Sequence, residues 1–408
     1  MGKPRLSVRP AQWEELPTIG ALLAQTHPDS ESSWWRDQWP RLEPMRPGFS
    51  LAHHRVGMLN GHLIAHINVR PSTLRYGGAP LKVAALGKWF CTQPEYIELG
   101  YGHAVLQDAL TYATEQRAHL AMMLVEDAEL QTLTQHSFHS VMPIYRASFD
   151  ASELAQLRAV VSESLILRPA QLADAPYLAA IFEQQWSGRL TLARSPDLWM
   201  WRMQAAESGR RALVVAPDNG PPQGYIIGIG ADRQVLTSER VEVVAITPEA
   251  GIALLAAAGE AAVQRGQERI CWLLPPDDGL IALAQNYVGV TLSAEYSPFA
   301  GWRARILNGE ALAKALLPEL RAQLQHIAPQ WNAGKFELVV DAEGVVIGLA
   351  DQPDSRSRLH QSDFVQLLFG AVSPAALALR NGLSEASVQL LQAVFPQRIG
   401  AFGAWDWF

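Results

Sequence analysis

LSVRPAQWEELPTIGALL (Leu6–Leu23) and LILRPAQLADAPYLAAIF (Leu165–Phe182) are one passage written twice, 159 residues apart. The leading Leu, the run Arg-Pro-Ala-Gln, a later Pro and a later Ala coincide. Each copy reads as a short strand, a turn at Arg-Pro and an amphipathic helix. The offset is too long for a solenoid repeat and suits a duplicated domain.

The correspondence continues. Copy one has VAALGKWFCTQPEY (Val83–Tyr96), a helix through Arg117 and the strand LAMMLVED (Leu120–Asp127). Copy two has VEVVAITPEA (Val241–Ala250), a helix through Arg265 and RICWLLPPDD (Arg269–Asp278). Before these, HLIAHINVRPSTLRYGGAPLKVAAL (His62–Leu86) reads as a hairpin turning at Tyr76-Gly77-Gly78. Ala151–Ser164 reads as a linker helix. From Asn308 onward the pattern changes. A helix, GEALAKALLPELRAQLQHI, leads to the hairpin KFELVVDAEGVVIGLAD, then to two helices, HQSDFVQLLFG and SEASVQLLQAVF. Three units are expected, at 1–150, 151–307 and 308–408, with mixed α/β sheets in the first two and a small α+β unit last.

The bulk numbers agree. At roughly 100–200 residues per domain, 408 residues predict two to four domains. The chain is 49% apolar and 18% charged, enough for real cores, and its net charge is −7. There is no run of four Lys or Arg, so nucleic acid is not an expected partner. Cys91 and Cys271 are the only cysteines, both in apolar runs that read as buried strands. Neither a disulfide framework nor a zinc pattern can be built from them. MGKPRLSVRP lacks an apolar signal core, and no stretch of eighteen apolar residues exists, so a cytoplasmic protein without a membrane span is expected. His53-His54, His62 and His66 fall on a predicted hairpin, with His62 and His66 on one face. They lack a third ligand, and no metal is expected.

Copy two is about six residues shorter between strand and helix: Pro94 to Arg117 spans 23 positions, Pro248 to Arg265 only 17. The missing piece is the glycine loop of TQPEYIELGYGHAVL (Thr92–Leu106). Pro94 ends the strand, Gly100 and Gly102 permit positive φ and close backbone approach, and a helix begins near His103. Free N–H groups at that helix start suit a diphosphate. The bland alternative is a loop whose glycines only permit close strand–helix packing. Absence from copy two shows that the packing does not require them.

Phe90–Leu106 resembles the acetyl-coenzyme A motif of the GNAT-superfamily N-acetyltransferases: strand, Pro-Glu-Tyr, Arg/Gln-x-x-Gly-x-Gly/Ala, helix. The whole chain resembles the tandem, enhanced-intracellular-survival-like branch, in which a cofactor-binding GNAT domain precedes a degenerate GNAT domain and a sterol-carrier-like domain. The resemblance implies an acetyl-coenzyme A-dependent N-acetyltransferase with a small-molecule amine acceptor, direct transfer in a ternary complex, and homo-oligomers. The backbone of Phe90, Cys91 and Thr92 would hold the pantetheine arm. The amides of Leu99, Gly100, Tyr101, Gly102 and His103 would hold the diphosphate. Two positions depart from the motif: Ile97 stands where the family has Arg or Gln, and Glu98 places a carboxylate beside the anion site.

The family's proton donor to the leaving thiolate is a tyrosine in Tyr-x-x-x-Gly-aromatic. In LQTLTQHSFHSV (Leu130–Val141) Phe138 aligns with the aromatic and Ser137 with the glycine, so Leu133 falls on the tyrosine. Leucine cannot donate a proton. His136 and His139 are the nearby substitutes. In the tandem branch a terminal carboxylate acts as base. The tail AFGAWDWF ends on Phe408, which either serves that role or pins the third unit to the first. Trp34, Trp35 and Trp39 either pack or stack on an acceptor. A second class of function is a non-catalytic acyl-coenzyme A binder or sensor, and a third a lipid-binding module in residues 308–408.

Overall fold

The structure, a computed structural model, describes residues 6–26, 32–87, 91–125, 136–186, 188–207, 212–228, 235–237, 239, 241–295, 301–396, 400 and 402. The first stretch contributes strands β1 (Leu6–Pro10), β2 (His54–Leu59), β3 (His62–Tyr76), β4 (Ala79–Leu86), β5 (Cys91–Thr92), β6 (Leu120–Val125), β7 (His139–Met142) and β8 (Ile144–Asp150). The second contributes β9 (Leu165–Pro169), β10 (Thr191–Leu192), β11 (Ala212–Pro217), β12 (Gly224–Gly228), β13 (Val241–Ala245), β14 (Arg269–Trp272), β15 (Val290–Glu295) and β16 (Gly301–Ile306). The last holds β17 (Phe336–Asp341), β18 (Gly344–Leu349) and β19 (Gln352–Leu359). The fold is α/β, with mixed sheets.

The duplication holds at the level of single bonds. β1 runs into a 3-10 turn, Trp13–Glu15, and helix Leu16–Thr26. β9 runs into Leu172–Asp174 and helix Ala175–Trp186, with every start displaced by the same offset. Arg9 grips both Glu15 oxygens, at 2.9 and 2.5 Å. Arg168 grips Asp174 in the same way, at 2.7 and 2.9 Å. Each carboxylate also accepts the amide of the residue that opens the turn, three positions before it: Gln12 N at 2.8 Å and Gln171 N at 2.7 Å. A planar guanidinium fork suits either carboxylate, so Glu and Asp exchange without loss of the motif.

The two copies trade their last strands. The first sheet runs β1-β2-β3-β4-β6-β16-β7. β16 enters from copy two and pairs with β6 from Gly301↔Val125 to Ile306↔Leu120. In return β8 lies between β14 and β15, with Phe149 opposite both Ile270 and Val290. Withdrawing either strand would leave two unpaired sheet edges. The expected boundaries at 150/151 and 307/308 fall just after these exchanged strands.

The hairpin at Tyr76 is present: Tyr76 pairs with Ala79, and Gly77 takes a φ of 57°. A bulge in β3 between its pairings to Gly57 and Met58 changes the expected histidine arrangement. It shifts the side-chain period by one, so His62 is exposed while His66 is buried. They do not share a face.

Helix Gly309–Ile327 buries Leu312, Leu316, Leu320 and Leu324 against Leu81, Val83, Leu120 and Met122 of the first sheet and Phe336 and Leu338 of β17, in one continuous core. Each fully buried leucine contributes about 1.5–3 kcal/mol. The last unit holds one more strand and one more helix than the sequence suggested. β19 alternates exposed Arg356 and Arg358 with buried Ser355, Ser357 and Leu359, so its inward face carries a single hydrophobic residue. Helix Pro374–Asn381 lies between the two expected ones. Among the described residues no helix is long and apolar enough to cross a membrane.

Candidate cofactor cleft and active site

β4 and β6 are parallel neighbours only from Val83↔Leu120 to Ala85↔Met122. Beyond that register the chain of β4 turns toward β3, where β5 pairs as Ala65↔Thr92 and His66↔Cys91. The two parallel strands therefore diverge, and a wedge opens between β5 and the end of β6. Gln93 N donates to Ile64 O on β3 at 2.8 Å. Strand alternation turns the preceding amide, Thr92 N–H, to the unpaired edge facing the wedge. Cys91 is buried, with its backbone turned toward β3.

The loop follows directly. Pro94–Leu99 forms a 3-10 turn, Gly100 takes φ 76°, and helix Tyr101–Glu115 begins. No side chain caps this helix start, and a Cβ at Gly100 would meet nothing within 4 Å. Copy two solves the same junction differently. There Pro248 opens the helix without an N–H, and Thr247 Oγ1 accepts Ala250 N at 3.2 Å. One helix start carries its own cap, while the other leaves its first amides without a side-chain acceptor at the positive end of the dipole.

Neighbouring contacts brace the loop. Tyr96 and Tyr101 lie ring to ring at 6.0 Å. Arg55 Nε donates to Asp108 Oδ2 at 2.5 Å, and its guanidinium sits 5.3 Å from the centre of the Tyr112 ring. Gly57 lets the helix close in, since a Cβ there would meet Val105 at 2.8 Å. Ile97, Glu98 and Leu99 are exposed, so Glu98 is solvated.

His136 Nε2 lies 2.9 Å from His103 Nδ1. Burial, His103 and Arg305 push the His136 pKa down to about 4, so it is neutral at pH 7. Ser137 takes φ 56°, the left-handed backbone that a glycine adopts without strain, and Phe138 is in the core. His139 is further off, near His360. Phe90, Leu133 and Phe408 lie outside the described residues. Phe402 packs on Trp302 at 4.7 Å, and Trp302 pairs with Leu124 near the end of β6.

Trp35 and Trp39 belong to the core beneath helix Leu16–Thr26, with Trp34 packed against them. His54 Nδ1 and His66 Nε2 are 3.1 Å apart, and His54 Nε2 is 3.7 Å from Glu43. Sequence reasoning missed this buried pair because the bulge sets it. It also missed Arg303 and Arg305, which reach the first sheet only through strand exchange. Among the described residues no group of three His, Cys, Asp or Glu is placed to hold a metal.

Comparison with solved structures places this architecture. A GCN5-related N-acetyltransferase from Kribbella flavida superposes with a TM-score of 0.63 over 98% of both chains, at 15% identity. One from Anabaena variabilis gives 0.61 over 98% of this chain and 99% of that one, at 17% identity. The fold is that of the GCN5-related N-acetyltransferases. Eis1 from Mycobacterium abscessus superposes on the same GNAT fold at 0.59, with 17% identity over 98% of this chain and 99% of its own. Residues 326–402 match the family profile of the sterol carrier protein domain, inside the unit that begins near Asn308. The architecture is thus a tandem GNAT fold followed by a sterol-carrier-like domain. No curated protein matches the chain by sequence.

Proposed function

We propose that this protein is an acetyl-coenzyme A-dependent N-acetyltransferase acting on a small amine by direct transfer in a ternary complex. The observation that carries the reading is the uncapped helix start at Gly100, set beside an unpaired strand edge in a GNAT fold. Under this reading the amides from Leu99 to His103 hold the diphosphate, and Thr92 N–H faces the thioester. Phe90 and Cys91 line the same arm. Acetyl-coenzyme A supplies the activated acyl group. The amine nitrogen attacks the thioester carbon, the C–S bond breaks, the nitrogen loses a proton and the thiolate gains one.

A neutral His136 is a poor donor to that thiolate, so its proposed role is to hold His103 beside the loop. The tail beyond Phe402, which carries Phe408, is proposed as the source of the base. The favoured setting is a cytoplasmic homo-oligomer with units at 1–150, 151–307 and 308–408. Calorimetry with acetyl-coenzyme A, followed by a thiol-release screen over amines, tests the reading. Absence of binding at millimolar cofactor would sink it.

A second reading, a weakened acyl-coenzyme A binder or sensor, is favoured by Ile97 and Glu98, both exposed at the loop in place of a basic or amide side chain. Binding without turnover on any amine would select it.

A further inference from the structure

A cavity of about 660 Å³ lies at the far end of the same helix from the cofactor loop, between the two copies. Tyr112 borders it, roughly 16 Å along the helix from Tyr101 at the usual rise per residue. Ala84 and Ala113 form an apolar wall from copy one, and Leu198 closes it from copy two. Trp201 Nε1 donates to Leu42 O at 2.8 Å, tying the helix from copy two to the segment that carries Arg46.

The charge is one-sided. Among the described residues the lining contains Arg46, Lys82 and Arg194 and no carboxylate, in a chain of net charge −7. Arg194 is neutralised by Glu242, which accepts from both its terminal nitrogens at 2.6 Å. Arg46 is not neutralised in this way. Its acidic neighbour is Glu43, at 4.0 Å, and Glu43 is already engaged by Arg70 at 3.3 Å and Asn68 at 3.2 Å. Two guanidiniums thus share one carboxylate. Burial and Arg70 push the Arg46 pKa down to about 9, against the opposing pull of Glu43. The Lys82 ammonium is exposed at the rim. Confined, roofed positive charge beside an apolar wall is the chemistry of an amphipathic anion site.

We propose that this inter-copy cavity binds a small molecule with one anionic head, carboxylate or phosphate monoester, on a short apolar body. The head is held between Arg46 and Lys82 and the body lies on Ala84, Ala113 and Leu198. Titration calorimetry on the full chain, without acetyl-coenzyme A, tests it with sodium octanoate, octyl phosphate, inorganic phosphate and octan-1-ol. Saturable one-site binding of octanoate or octyl phosphate is expected, and the preferred head identifies the source. Octanol and inorganic phosphate bind more weakly, each lacking half of the recognition. Arg46→Gln and Lys82→Gln each weaken the anion by roughly tenfold or more, with acetyl-coenzyme A affinity unchanged. Lys82, being exposed, can be replaced without risk to folding. Octanol binding as tightly as octanoate, no binding of either anion, or binding unaltered in both variants overturns the proposal. Because the readout needs no cofactor, its failure is separable from failure of the acetyltransferase reading.

Discussion

His136 Nε2 stands 2.9 Å from His103 Nδ1, joining the segment after β6 to the first turn of the glycine-loop helix. The contact is made by a histidine that burial keeps neutral. His54, buried beside Arg70, His53 and Arg46, is held down more strongly, to about 3.

These two groups predict an acid-labile fold. In the unfolded chain each titrates near ~6.5. Between that value and about 4 or 3, the unfolded chain therefore binds more protons than the folded one. Their contribution is complete above pH ~6.5 and is lost as pH falls toward 4 and then 3. Urea midpoints measured from pH 7.5 to 4.5 should decline, and His136→Asn should decline less steeply. Parallel slopes for the two proteins would reject the assignment.

Gly100 sits at φ 76° with open space around it, so the cost of a side chain there is conformational. Gly100→Ala should lose about 1–2 kcal/mol of stability, read by urea unfolding. If the loop holds the diphosphate, acetyl-coenzyme A should also bind roughly tenfold more weakly. Unchanged affinity would place the diphosphate elsewhere.

Phe402, six residues before Phe408, packs on Trp302. If Phe408 supplies the base, Phe402→Ala should leave acetyl-coenzyme A affinity intact while lowering turnover about tenfold or more. Equal losses in binding and turnover would instead indicate general damage to the fold.

In copy two, Glu242 is buried between Arg194 and the Tyr225 hydroxyl, which donates to it at 2.7 Å. Glu242→Ala strands the Arg194 guanidinium, which also lies 3.9 Å from the centre of the Phe182 ring. A loss of about 3–5 kcal/mol is expected. Chemical denaturation measures it, and a loss under 1 kcal/mol would mean that the charge finds water.

Much of the fold was legible because local chemistry repeats. Arg9 with Glu15 and Arg168 with Asp174 lie within seven residues of each other in sequence, so the turn they stabilise is written locally. The glycine loop was legible for the same reason, and comparison with Thr247-Pro248 marked it as dispensable to packing. Strand β19 was not, because two of its three inward side chains are serines, Ser355 and Ser357, and only Leu359 is apolar.

By itself the sequence determined the duplication, the order of strand and helix within each copy, and the glycine-loop junction. All of these depend on residues a few positions apart. Only tertiary structure decided that β8 and β16 change places, that the bulge in β3 buries His66 beside His54, and that Arg305 comes to face His136. Arg46 and Lys82 meet around one cavity for the same reason. These are pairings between distant segments, selected by edge satisfaction and shared burial, and neither leaves a periodic trace in the chain.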